Sequence, residues 1–149
     1  MNEGRIVFAE FCDDIRLEVG NKYSLMGCYT GELIMQPIPS LLPKLCAAIT
    51  AVTPIEKPFQ SLIFRAFLND DLIVETEIQL ENLQKNHELL TKDPKDFTKL
   101  LVRVQMAFVP LVVQQESVLR IEAETEEGII KGSKLLIRGL IDTDQQVTQ

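Results

Sequence analysis

The stretch LIFRAFLNDDLIVETEIQL, which runs from Leu62 to Leu80, decides the fold class. Apolar residues occupy alternate positions before and after Asn69-Asp70-Asp71, and Asn and Asp favour tight turns. A period of two puts alternate side chains on opposite faces of an extended strand. The stretch therefore predicts a β-hairpin with one face mostly in water. The core face comprises Leu62, Phe64, Ala66, Leu68, Leu72, Val74, Thr76, Ile78 and Leu80.

Alternating or continuous apolar segments recur along the rest of the chain. They predict further strands at residues 5–12, 23–29, 33–35, 45–52, 102–108, 119–124 and 129–138. Prolines between Gln36 and Lys44 cannot donate ladder hydrogen bonds, so this segment is predicted to be a loop that crosses between sheets. The sequence Asp93-Pro94-Lys95-Asp96 is typical of a capped helix start and predicts a short helical turn from Pro94 to Leu100.

No amphipathic helix of about 10–15 residues separates successive predicted strands, which argues against a βαβ fold. We predict an all-β fold: an antiparallel two-sheet β-sandwich, immunoglobulin-like or of a related Greek-key type, with one short helical turn. A chain of 149 residues fits a single domain. We expect this domain to span residues 1–139 and the polar residues 140–149 to form a flexible tail.

The composition narrows the classes of function. A formal net charge of −7 opposes binding to nucleic acid or to acidic membranes, because both need a basic protein surface. No apolar run approaches the roughly 18 residues of a membrane span, and residues 1–5 lack the pattern of a secretory signal. We therefore expect a cytoplasmic protein. Cys12, Cys28 and Cys46 lie in apolar segments without paired metal-ligand spacing, so they are expected to be reduced core thiols.

Charged residues interrupt the predicted β-structure after Cys12, at Asp13, Asp14, Arg16 and Glu18. Their carboxylates could bind a hard cation, but the spacing does not match a calcium loop and Arg16 supplies an internal counter-charge. A strand would place Asp14, Arg16 and Glu18 in a row on one face, with Asp13 or Asp14 at a bend or bulge. We interpret the cluster as a structural ion-pair face or a contact face for another chain. The contact role falls away if both aspartates bond only within their own fold.

Catalysis has little support in the sequence. His87 is the only histidine, so every Ser-His or Cys-His mechanism would depend on it. The short motifs typical of hydrolases, metalloproteases and nucleotide-binding proteins do not occur. We predict no enzyme activity, no catalytic residue, no cofactor and no metal. The alternatives are a hydrolase or metal-binding protein that uses Asp13, Asp14, Glu18 and His87, and a carrier of a small apolar ligand.

Ile63 and Phe67 fall on the nominally outer face of the predicted hairpin. If the second sheet does not cover that face, the two residues form an exposed apolar patch, and such patches mark contacts between subunits. Unpaired edge strands can also bind another chain by adding its strand to the sheet. The sequence therefore predicts an apolar contact face at Ile63 and Phe67 and a protein that self-associates.

Four segments carry a resemblance to a known family: Phe11 to Lys22, Ser24 to Tyr29, Leu42 to Leu45, and the closing region from Leu119 to Ile137. Together they resemble a domain-of-unknown-function family of bacterial and prophage proteins of similar length. The resemblance covers nearly the whole chain and implies a bacterial or phage context, without supplying catalytic or binding residues. Our hypothesis is a non-enzymatic, cytoplasmic interaction or accessory module whose partner is a protein, including a second copy of itself.

Overall fold

The computed structural model describes residues 2–35, 37–91 and 98–140. Within them the elements follow in the order β1 (Ile6–Glu18), β2 (Lys22–Cys28), β3 (Glu32–Met35), β4 (Ser40–Leu42), β5 (Leu45–Pro54), β6 (Leu62–Leu68), β7 (Asp71–Glu77), α1 (Leu80–Thr91), β8 (Lys99–Phe108), β9 (Leu111–Val113), β10 (Ser117–Thr125) and β11 (Gly128–Gly139). The predicted all-β fold is confirmed. No helix in these residues has the length and apolar character needed to cross a membrane.

The strands form a sandwich of two large sheets, with a small third sheet. Sheet A has the strand order β2-β1-β5-β8, sheet B has the order β3-β11-β10-β6-β7, and β4 pairs with β9. Neighbouring strands are antiparallel except for β3 and β11, which are parallel. The predicted antiparallel sandwich is confirmed apart from this pair. The two strands are far apart in sequence, so no tight turn fixes their relative direction.

The core fills the space between sheets A and B. Its largest fully buried side chains include Phe64, Ile49, Ile121 and Leu135, which come from β6, β5, β10 and β11. Burial alternates along β6, as a strand with one face in the core requires. Along β5 every residue from Leu45 to Thr53 is buried, because this strand lies between β1 and β8 and its outward side chains are small.

Both predicted hairpins are present: β6 pairs with β7, and β10 pairs with β11. The first hairpin contains a register shift between Ala66 and Phe67 that pairs Phe67 with Leu72 on the outer face. Leu72 is consequently 49% exposed, so its predicted core position is wrong. A single extra residue in one strand moves the side chains that follow it to the opposite face of the sheet.

The segment between the hairpin and β8 differs from its prediction. We expected a helical turn from Pro94 to Leu100, but Leu100 already belongs to β8, and residues 92–97 lie outside the described residues. The helix α1 was not predicted, because the segment is largely polar. The sequence does carry a helical signal in the three-residue spacing of Leu80 and Leu83, and Leu83 is buried at 5% exposure.

Two further predictions concern connections. Residues 37–44 lie between β3 of sheet B and β5 of sheet A, as predicted, and also contain the short strand β4, whereas Gln36 lies outside the described residues. The predicted tail is attached at its first residue, since the Leu140 N–H donates to the Met35 carbonyl at 2.9 Å. Residues 141–149 lie outside the described residues.

Candidate functional site

The charged cluster lies on a hairpin arm that extends beyond the core. Strand β1 pairs with β5 only as far as Cys12, where Cys12 faces Cys46, whereas its pairing with β2 continues to Glu18. Residues 13–27 therefore form a two-stranded arm. On this arm Asp14, Arg16 and Glu18 pair with Met26, Ser24 and Lys22, which places them in the predicted row on one face.

Asp13 lies at the base of the arm, where the strand pairing is irregular. Its carboxylate accepts a hydrogen bond from the Tyr29 hydroxyl and fills the space beside Gly27, whose φ is +70°. Burial of the ring, together with the hydrogen bond to Asp13, raises the pKa of Tyr29 to about 12. Strand β1 runs unbroken through Asp13 and Asp14, so the predicted bend at an aspartate is not found, and the unusual backbone conformation belongs to Gly27 of β2.

The remaining charged residues of the arm also bond locally. Asp14 forms an ion pair with Lys44 at 2.6 Å, and Glu18 accepts a hydrogen bond from the Ser24 hydroxyl at 2.8 Å. Arg16 is exposed. Because Asp13 and Asp14 both bond within their own fold, we do not assign the contact surface to these two aspartates.

The ion pair with Lys44 should be visible in the titration of Asp14. The Lys44 hydrogen bond lowers the pKa of Asp14 below its ordinary value of 3.8, so replacing Lys44 with Met should return that pKa towards 3.8. Carboxyl carbon chemical shifts, followed by NMR as a function of pH, would measure the change. In the same variant the titration of Glu126, which forms an ion pair with Arg5, should not move. If the pKa of Asp14 were the same in the wild type and in Lys44→Met, the result would contradict the ion pair.

The residues of the alternative hydrolase or metal site are not brought together. Asp13 bonds to Tyr29, whereas Asp14 bonds to Lys44, and no group of three or more potential metal ligands occurs in the described part of the chain. His87 lines a groove with Phe59, whose ring stacks on the guanidinium of Arg5. Arg5 lies eight residues before Asp13 along extended chain, which is about 26 Å at the rise of a strand. The groove that contains His87 is therefore far from the aspartates.

An apolar groove of about 380 Å³ lies next to the arm. Tyr29, Leu33, Met35, Leu42 and Leu140 contribute to its walls. The groove is at the end of the sandwich, beside β3 and β4, whereas the space between the sheets is filled by the core. The carrier hypothesis had placed the ligand between the sheets.

Ile63 and Phe67 lie on the outer face of sheet B, as predicted, but they are only partly exposed. The guanidinium of Arg120 stacks on the Phe67 ring at 4.8 Å. Arg65, between these residues on the same strand, bonds to Glu75 and Glu124 at 2.7 Å each. Charged side chains that are paired with one another therefore surround the predicted apolar contact face.

The outer face of sheet A is more apolar, and sequence reasoning did not single it out. Ile6, Val52 and Leu101 align in one row across β1, β5 and β8. Ile6 is 55% exposed, Leu101 is 42% exposed, and Phe8 in the adjacent row is 40% exposed. The alternation of Ile6 and Phe8 was visible in the sequence, but whether a second layer covers a face cannot be read from periodicity.

The cysteines also lie on this face. Cys12 and Cys46 are buried as predicted, although neither belongs to the core cluster between the sheets, and the Cys12 thiol donates to the Asp14 carbonyl at 3.3 Å. Cys28 is exposed, so the prediction of a core thiol is wrong for this residue.

A search with protein-family models and a search of curated proteins both find no match to the chain.

Proposed function

We propose that this protein is a non-enzymatic interaction module that self-associates through the outer face of sheet A. The observation that carries the proposal is the exposure of Ile6, Phe8 and Leu101 on adjacent rows of one sheet. Rows across the outer face of sheet B each include a charged residue, as in the row of Ile129, Glu124, Ile63 and Glu77. On sheet A the row of Ile6, Val52 and Leu101 contains no charged residue, and the adjacent row of Phe8 contains Arg103. Contiguous apolar patches of this kind mark protein contacts.

The charges on the face favour a second copy of the chain as the partner. The protein has a net charge of −7, so two copies repel each other over most of their surface. The outer face of sheet A is an exception, since its acidic residues are matched by basic ones. The acidic set is Glu10, Asp14 and Glu18, and the basic set is Arg16, Lys22, Lys99 and Arg103.

The positions of these charges suit a symmetric dimer. Glu10 lies on β1, and Arg103 lies on β8, on opposite sides of the central strand β5. A two-fold axis roughly along β5 would lay β1 of one copy over β8 of the other. Glu10 would then approach Arg103 of the second copy, once on each side of the apolar patch.

Light scattering coupled to size-exclusion chromatography over a dilution series would test the proposal. The wild-type protein should form a concentration-dependent dimer, and Ile6→Lys should be monomeric because it places a charge in the apolar row. Ile129→Lys is the matched control, since Ile129 is also a strand isoleucine and is 56% exposed on sheet B. The control should dimerise like the wild type. A wild-type protein that is monomeric at every concentration, or equal disruption by both variants, would refute the proposal.

Charge reversal would test the proposed pairing. Glu10→Arg and Arg103→Glu should each weaken the dimer, because like charges would then face each other. The double variant should recover much of the affinity, since the opposite charges are exchanged. Double-variant affinity no better than that of either single variant would place the interface elsewhere.

The origin and setting of the protein are part of the same proposal. The resemblance of residues 11–29 and 42–45 to bacterial and prophage proteins supports an accessory role in a bacterium or phage-infected cell. The acidic composition supports a cytoplasmic protein that does not bind nucleic acid or membranes.

A further inference from the structure

Three cysteines lie side by side across sheet A. Cys12 on β1 pairs directly with Cys28 on β2 and with Cys46 on β5. Residues directly opposite each other in antiparallel strands point to the same face, so the three side chains project from the outer face of the sheet. The chain has only three cysteines, and all of them are in this row.

The two neighbouring pairs differ in geometry. The Tyr29 N–H donates to the Phe11 carbonyl at 2.8 Å, so this bond flanks the Cys12–Cys28 pair, which is a non-hydrogen-bonded position of the ladder. At such positions the Cα atoms are about 4.5 Å apart and the side chains are close. That separation lies within the range of about 4.4–6.8 Å found for disulfides. Because the backbone groups of a strand residue point to one side, Cys12 faces Cys46 in the wider, hydrogen-bonded kind of pair.

Exposure determines which thiol an oxidant meets first. Cys28 is exposed, whereas Cys12 and Cys46 are 0% and 3% exposed. Burial, with the charges of the neighbouring thiols, raises the pKa of Cys12 to about 11, so Cys12 is a poor initial nucleophile. Reaction with a reagent in solution must therefore begin at Cys28.

We propose that Cys28 and Cys12 form a reversible redox site, which a peroxide or a low-molecular-weight disulfide oxidises to a cross-strand disulfide. With hydrogen peroxide, the Cys28 sulfur attacks one peroxide oxygen, which gives a sulfenic acid and one water. The Cys12 sulfur then attacks the Cys28 sulfur and displaces the hydroxyl group as a second water. The two thiols together lose two electrons and two protons, and the peroxide is reduced to water.

Intact mass spectrometry after alkylation of free thiols would test the site. The native wild-type protein, treated with hydrogen peroxide or oxidised glutathione, should lose two of its three free thiols and regain them with a reductant. Peptide mapping should place the bond between Cys12 and Cys28. Non-reducing electrophoresis should show that the bond lies within one chain.

The third cysteine supplies the matched control. Cys46→Ser should form the disulfide as readily as the wild type, whereas Cys28→Ser should form no intramolecular disulfide. Cys28 is exposed, so its replacement should leave the fold intact, which circular dichroism would check. Three results would each overturn the proposal: retention of all free thiols, stable modification of Cys28 alone, and a disulfide that links two chains or involves Cys46. The site does not depend on self-association, so a monomeric protein would leave the experiment unchanged.

Discussion

Replacing Arg5 with Met should lower the free energy of unfolding by about 3 kcal/mol, at the lower end of the range for breaking a buried ion pair. The Arg5 side chain is fully buried, and its Nη1 lies 2.6 Å from Oε2 of Glu126. Glu126 is 27% exposed, so water partly compensates for the lost partner, and the expected cost is not the full range.

The other contacts of Arg5 explain why Met cannot replace it. Arg5 Nε donates to the Thr53 hydroxyl at 2.9 Å, and Nη2 donates to the carbonyls of Lys57 and Pro58 at 3.2 and 3.3 Å. The guanidinium also stacks on the Phe59 ring at 4.6 Å. One side chain thus connects the start of β1 to the β5–β6 loop and the β10–β11 turn. A methionine would fill part of the volume but donate no hydrogen bond, so the Pro58 carbonyl would lose the Arg5 donor, whereas the Lys57 carbonyl would keep its bond from the Thr53 hydroxyl.

Urea denaturation would measure the loss, and Lys44→Met is the matched control. Lys44 and Asp14 are also 2.6 Å apart, but their side chains are 46% and 47% exposed, so removing this pair should change stability far less. Equal effects of the two substitutions would show that burial does not determine the value of the Arg5 pair.

Acid should reduce the difference between the wild type and Arg5→Met. Burial raises the pKa of Glu126, but hydrogen bonds from the Gln60 N–H and from Arg5 outweigh burial and lower it below the ordinary value of 4.5. A lowered pKa means that the carboxylate stabilises the fold above pH 4.5 and that this contribution is lost as the pH falls through the folded-state value. A difference independent of pH would point to packing alone.

How far the sequence predicts this molecule depends on how local each feature is. The hairpin of β6 and β7 was predictable because its alternation and its turn residues lie within Leu62 to Leu80. The hydrogen bonds and ion pair of the Arg5 side chain were not predictable, since its partners Thr53 and Glu126 are distant in sequence. The row of cysteines depends on the register of three strands, which neither composition nor spacing determines.

The candidate surfaces illustrate the same limit. The row of Asp14, Arg16 and Glu18 follows from a strand period of two and was predicted correctly. The choice between the outer faces of sheets A and B was not predictable, because it depends on which face carries ion pairs between strands. Ile63 and Phe67 look as apolar in the sequence as Ile6 and Phe8, yet only the structure places Arg120 and the ion-pair partners of Arg65 among their neighbours.

Replacing Gly27 with Ala should destabilise the protein by about 2.5–5 kcal/mol, through two separate effects. The φ of +70° would strain any residue with a Cβ, at a cost of roughly 1–2 kcal/mol. The new Cβ would also lie 2.9 Å from the Asp13 Cγ, so the carboxylate would have to move away from the Tyr29 hydroxyl. Loss of a hydrogen bond to a charged group costs about 1.5–3 kcal/mol. Gly27 adjoins Cys28, so the strain falls where the arm joins sheet A.

A second glycine and a second background separate these two effects. Gly20 has a φ of +91° and nothing within 4 Å of an added Cβ, so Gly20→Ala should show the backbone cost alone. In a chain that already carries Asp13→Ala, Gly27→Ala should cost little more than Gly20→Ala, because the carboxylate and its hydrogen bond are gone and only the Cβ of residue 13 remains close, at 3.2 Å. Urea denaturation of the four Gly27 and Asp13 combinations gives the interaction energy between the two positions. An interaction energy near zero would mean that the carboxylate of Asp13 does not require a glycine beside it.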